Sequence, residues 1–134
     1  MVTNTSNGVE IKVYSAYHYE SINDLTENIN TNKEFEFGYH IEIKNKNNFS
    51  IQLLKRHWIV FDSIAPFKIV DGDGVVGEQP IIDSDDTYSY SSHCYLKSEL
   101  GYMQGHYIMK NLLTNSEFKV EIPKFNLTYP FKNN

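Results

Sequence analysis

Residues 34–43 alternate without interruption. Phe35, Phe37, Tyr39, Ile41 and Ile43 hold the odd positions, and Glu34, Glu36, Gly38, His40 and Glu42 hold the even ones. With a side-chain period of two, the apolar residues fall on one face of a strand and the polar ones on the other. A helix would scatter both sets around its circumference. The chain must therefore build a sheet with one face against a core. Ten Tyr and eight Phe suit that task, because flat, stiff side chains pack well on a pleated surface. A length of 134 residues is ordinary for one domain and long enough to bury a core without metal or disulfide.

The rest of the chain extends this pattern. Residues 1–8 are polar and read as a flexible N-terminus, and residues 131–134 as a flexible C-terminus, around one domain at 9–130. Val9, Ile11 and Val13 alternate as a first strand, and the Asn and Ser between Ser21 and Asn32 mark a long connection. After the 34–43 strand, Asn45 to Asn48 supply a turn. From Ile51 to Asp62 apolar residues occupy both parities, as in a central strand covered on two sides. Further strands are expected at Phe67–Val70, from Tyr88, at Met103–Met109 and at Phe118–Ile122. Pro123 shifts the phase to Phe125, Leu127 and Tyr129, which predicts a bulge on an edge strand. About seven short strands without an amphipathic helix specify an all-β sandwich, and a tryptophan on the third strand suits an immunoglobulin-like plan.

Charge and cysteine content narrow the function. The formal net charge is -5 with only 12 Lys and Arg, so no nucleic-acid backbone is expected as a partner. The single cysteine, Cys94, excludes an internal disulfide and every multi-cysteine metal pattern. No apolar run approaches ~18 residues and no secretory leader opens the chain, so no direct membrane insertion and a cytoplasmic location are expected.

The stretch Gly72-Asp73-Gly74-Val75-Val76-Gly77 spells G-x-G-x-x-G. In a dinucleotide site that spelling precedes a helix, whose free N–H groups face the pyrophosphate. Here Glu78-Gln79-Pro80 follows, which is no helix start. Two readings remain open. Gly72, Gly74 and Gly77 could form a backbone concavity for a small anion such as pyrophosphate or a nucleotide, opposed by Asp73 and Glu78. Alternatively they supply positive φ in a tight loop.

Metal and catalytic patterns are weak. His40 shares the polar face with Glu36 and Glu42, but positions i to i+6 of a strand span ~20 Å, too far for one ion without a neighbouring strand. A metal-sensing cluster would need His40, Glu42 and His106 to meet across strands. Cys94 and its neighbour His93 point to opposite faces, Ser91-Ser92 lacks flanking glycines, and Asp83, Asp85 and Asp86 form an acidic turn. No catalytic group, cofactor or metal site follows from the sequence.

Several stretches together resemble the ApaG family. They are Gln52-Leu53-Leu54, Arg56-His57-Trp58, the run from Gly72 to Pro80, Tyr90-Ser91-Ser92, Gly101 to Tyr107 and Ile122-Pro123-Lys124-Phe125. The likeness spans residues 9 to 130. Ser84-Asp85 and Ser92-His93 depart from the Pro-Gly and Ser-Gly usual there. The resemblance implies a fibronectin type III-like sandwich and a bacterial link to cobalt and magnesium efflux or tolerance. It also implies a protein-interaction role, as in related domains of F-box and polymerase-associated proteins. The expectation is a non-enzymatic module that binds another protein, with Arg56, His57, Trp58, Glu78 and Gln79 as contacts and strand edges open to a homodimer.

Overall fold

In the computed structural model, which describes residues 1–22 and 33–130, every regular element is a strand. They are β1 (Val2–Ser6), β2 (Val9–Ile22), β3 (Lys33–Asn45), β4 (Ile51–Asp62), β5 (Lys68–Asp73), β6 (Ile81–Ile82), β7 (Thr87–Leu96), β8 (Leu100–Asn111) and β9 (Glu117–Thr128). One sheet runs β1-β2-β3-β7 and the other β5-β4-β8-β9, with β6 added to β4. All pairings are antiparallel. The all-β sandwich is as expected, with nine strands in place of about seven.

Phe35, Phe37, Tyr39, Ile41 and Ile43 are buried on the inner face of β3, as the alternation requires. Val9, Ile11 and Val13 lie beside them, and Met103, Tyr107 and Met109 of β8 face them from the other sheet. These side chains form one continuous apolar core.

Three differences from the sequence reading have physical causes. The segment expected to be loose, residues 1–8, contains β1, which pairs with β2 through Ser6↔Val9. Asn7 and Gly8 both have positive φ there (50° and 75°), the pattern of a type I′ hairpin turn. In β4 the two apolar parities come from a bulge, not from two covered faces. Leu53 pairs with Met109 and Lys55 with Ile108, so Leu54 is an extra residue. Buried positions are therefore odd before it (Ile51, Leu53) and even after it (Trp58, Val60, Asp62). Finally, Gly72 and Asp73 belong to β5, not to a loop. The bulge foreseen at Pro123 is present, because Ile122 pairs with Gly105 and Phe125 with Met103. Most of the connection expected between Ser21 and Asn32, and the C-terminal tail 131–134, lie outside the described residues.

The two long sides of the sandwich differ. On one, β1 and β2 are tied to β9: Asn7 Nδ2 donates to the Lys119 carbonyl, Ser6 Oγ accepts from the Glu121 N–H, and Ser15 Oγ donates to the Asn126 carbonyl. On the other, the sheets end in the edge strands β7 and β5. Between those edges lies a groove.

Candidate interaction site at the β4–β5 edge

The bulge at Leu54 organises this end of the molecule. A bulge frees a carbonyl from its ladder, and a freed carbonyl needs donors. The Leu54 carbonyl accepts from the Gly74 N–H at 2.8 Å and from Gln79 Nε2 at 2.9 Å. Gln52 Nε2 reaches the Gln79 carbonyl at 3.1 Å, and the Leu53 N–H donates to the Pro80 carbonyl at 3.0 Å. Arg56 Nη1 donates to the carbonyls of Asp73 and Gly74, each at 2.9 Å. The two densest motifs of the sequence, Gln52–Trp58 and Gly72–Pro80, are thus one hydrogen-bonded unit.

Within that unit each glycine has its own role. Gly74 has φ 62°, and a Cβ there would lie 2.0 Å from the Glu78 carbonyl oxygen. Any side chain at 74 would break the turn. Val76 and Gly77, with φ 47° and 79°, turn the chain between Val75 and Glu78, which exchange both backbone hydrogen bonds. Gly72 has no unusual φ; its role is space, since a Cβ would sit 2.6 Å from Arg56 Cζ. The N–H groups of Gly74, Val75 and Glu78 are committed to the chain's own carbonyls, and Arg56 meets the turn at its carbonyls. A small anion at this loop would have to compete with those bonds.

The expected contact residues separate onto different surfaces. Trp58 is 3% exposed and packs against Tyr39 and Phe125 in the core, with part of its surface lining the groove between β5 and β7. Arg56 shares its inward face at the open side of the sandwich. His57 lies on the outer face, hydrogen-bonded through Nδ1 to Asp71 Oδ1 at 2.5 Å and stacked on His106 at 4.8 Å between ring centroids. Glu78 and Gln79 are on the exposed turn.

Across the outer face of the five-stranded sheet, Asp71, His57, His106 and Glu121 stand directly opposite one another on β5, β4, β8 and β9. Burial, with Lys119 and His57 nearby, holds His106 below the usual imidazole range. A cavity of about 400 Å³ lies against Lys55, His57, Asp71, Asp73 and His106. No single-sequence signal could find this row, because it exists only once the strand order is set.

The proposed cluster of His40, Glu42 and His106 does not form. His40 and Glu42 share the outer face of the four-stranded sheet, where His40 Nδ1 meets Ser91 Oγ at 2.8 Å. His106 is on the outer face of the opposite sheet, with the whole core between. Among the described residues, no three His, Cys, Asp or Glu side chains are placed to hold one metal ion. Glu36, on the polar face of the alternation, is nevertheless buried. Cys94 faces the groove, and burial pushes its thiol up to about 12, far from a ready nucleophile.

The groove between β5 and β7 has a volume of about 310 Å³. Its walls include Trp58, Val60, Val70 and Met103, with Arg56 and Lys68 as cations and no carboxylate. Exposed apolar residues follow one another along this part of the chain: Phe61, Ile64 (72% exposed), Phe67 (60%), Ile69 (54%) and Val70, of which Val70 lines the groove and Ile69 points to the outer face. All five fall between residues 61 and 70, at the end of β4, on the β4–β5 turn and on β5 itself.

The architecture defines an immunoglobulin-like, fibronectin type III-like sandwich: a three-stranded core sheet extended by β1 packs on a larger sheet that ends in the short edge strand β5. The family model described as the ApaG domain matches residues 26–111. Protein ApaG of Vibrio vulnificus strain YJ016 is 42% identical over 122 residues, 91% of each chain. Protein ApaG of Brucella canis is 35% identical over 130 residues, 97% of this chain and 95% of that one. The chain belongs to the ApaG domain family. Among solved structures, a Northeast Structural Genomics Consortium target, SoR45, superimposes with a TM-score of 0.83 at 29% identity, covering 95% of this chain and 91% of that one. A protein named ApaA from Bordetella pertussis does so with 0.76 at 29% identity, covering 91% and 94%.

Proposed function

We propose that this chain is a non-enzymatic binding module whose partner is another protein and whose contact is made along β5 and the β4–β5 turn. The observation that carries this reading is the coincidence of two surfaces usually kept apart. A free sheet edge invites pairing, and natural proteins shield such edges with charge, proline or a covering loop. Here the edge carries Lys68, Asp71 and Asp73 and follows Pro66, yet Phe67, Ile69 and Val70 are exposed along it, and apolar exposure at a sheet edge marks interaction surfaces. The Leu54 bulge unit supports the same end by holding β5 to β4 through backbone and side-chain bonds. Within this reading, the family's association with cobalt and magnesium tolerance is exercised through the partner.

The test is affinity capture of partners from a lysate of the source cells, with the unaltered chain and with a Phe67→Ser/Ile69→Lys double variant. Both side chains are exposed, so thermal stability should stay within about 1 kcal/mol of the parent. Loss of the main captured protein in the double variant is expected. An unchanged set of partners would overturn the reading. Gly74→Asp is a poor probe, because it would break the turn itself.

A further inference from the structure

We propose that the free edge of β5 takes up an extended acidic segment of a partner as an added strand; this rests on the interaction-module reading above and names the partner's chemistry. Among the described residues β5 pairs only with β4, so its other edge offers backbone groups to an incoming strand. Side chains of an added strand alternate between the two faces, and residues i, i+2 and i+4 would enter the groove between the sheets.

What they would meet is set by register. Lys68, Val70 and Gly72 stand opposite Val60, Trp58 and Arg56, whose parity is inward; Lys68 and Val70 line the groove, as does Arg56 beside Gly72. Gly72 has no side chain, and the Arg56 guanidinium fills the space its Cβ would take. The inward edge therefore reads cation, apolar, cation, with Lys68 and Gly72 about 13 Å apart along the strand. Neither Lys68 nor Arg56 has an ion pair among the described residues. The nearby Asp62 carboxylate is held by Ser98 Oγ and by the N–H groups of Lys97 and Ile64. In a chain of net charge -5, a groove lined by two cations and no carboxylate, with the hydrogen-bonded Asp62 as a neighbouring acid, is locally cationic. The complementary strand carries acid, any residue, apolar, any residue, acid.

A second copy of β5 does not have that pattern. Antiparallel pairing with the inward faces matched would centre Val70 on its own copy and place Lys68 opposite Gly72, beside the copy's Arg56. Like charges would then meet at both ends, which is unfavourable for directly opposed strands.

The experiment uses the full chain and two synthetic peptides, acetyl-Thr-Glu-Thr-Val-Thr-Glu-Thr-amide and its counterpart with Lys for Glu. Trp58, the only tryptophan, lies beside the groove and reports occupancy by fluorescence. Backbone amide shifts report position. The acidic peptide should bind saturably with shifts centred on Lys68–Asp73, and the basic one roughly tenfold more weakly or worse. Lys68→Glu, an exposed change that leaves the core intact, should narrow or reverse that preference. Equal binding of both peptides, or shifts centred elsewhere, would overturn the proposal. So would a concentration-dependent dimer abolished by Lys68→Glu. Absence of binding by either peptide at millimolar concentration, while partner capture still depends on Phe67 and Ile69, would overturn the acidic strand and leave the interaction-module reading standing.

Discussion

The Tyr90 hydroxyl lies 2.5 Å from the Tyr107 hydroxyl, a hydrogen bond that joins the two sheets through the core. Tyr90 is on β7 and Tyr107 on β8, and burial pushes the pKa of both phenols up, Tyr107 well above the ordinary value, so both stay protonated. Each hydroxyl is the other's hydrogen-bond partner between the sheets, so the pair gives one sheet a defined position on the other. Removing both oxygens should cost less than the two single removals added together, because each single removal orphans a buried hydroxyl with its desolvation penalty. Tyr107→Phe or Tyr90→Phe is expected to lower stability by about 1–3 kcal/mol, and the double Phe variant by less than the sum of the two. Urea unfolding of the four proteins measures this. Additive losses would show that the hydroxyls act independently.

The turn at Val76 predicts a gain in stability. A β-branched residue at φ 47° is held in a region where L side chains crowd their own backbone, at a cost of about 1–2 kcal/mol. Val76 is also exposed, so little packing is lost by changing it. Val76→Asn or Val76→Gly, placing a preferred residue before Gly77, should raise the urea midpoint by the equivalent of about 1 kcal/mol. An unchanged or lower midpoint would mean that Val76 packs on something the turn geometry does not reveal.

Asp62 makes stability depend on acid. Burial pushes its carboxyl up, but hydrogen bonds from Ser98, the Lys97 N–H and the Ile64 N–H, with the Lys68 charge, outweigh that and leave it below the ordinary carboxylate range. A depressed folded-state value contributes stability that is complete above the ordinary range, near pH 4, and is lost as pH falls through the folded value. Asp62→Asn should be less stable than the parent at pH 6, by about 1–3 kcal/mol. The gap should narrow as the pH falls below about 4. A gap that stays constant down to pH 2.5 would contradict this.

Cys94 should be nearly inert in the folded chain. With its thiol pushed up to about 12, the thiolate fraction at pH 8 falls roughly a thousandfold below that of an ordinary cysteine. Alkylation by iodoacetamide at pH 8 should therefore be slow in buffer and fast in denaturing urea. Comparable rates in both would show that the β7 edge opens readily.

Much of the fold was legible because one face of each sheet is buried. The alternation in β3 specified its inner face residue by residue, and Pro123 marked its bulge correctly. Asn7-Gly8, the favoured dipeptide of a type I′ turn, was also present in the sequence, yet the polar residues around it suggested a loose lead-in. The β4 bulge was harder to read. One extra residue at Leu54 exchanges the parity of everything after it, and that looks the same in sequence as a strand covered on both faces. The site itself was least legible. Asp71, His57, His106 and Glu121, or Lys68 and Arg56, become neighbours only through strand order, which no local pattern encodes. The packing of Trp58 against Tyr39 and Phe125 likewise depends on how the two sheets face each other.

Amide hydrogen exchange of the chain with and without its captured partner tests the central claim most directly. The account predicts that added protection centres on Lys68–Asp73, with the β4–β5 turn beside it and little change along β1 or β9. Protection centred on the β1–β9 side, or none along β5 in a saturated complex, would contradict it.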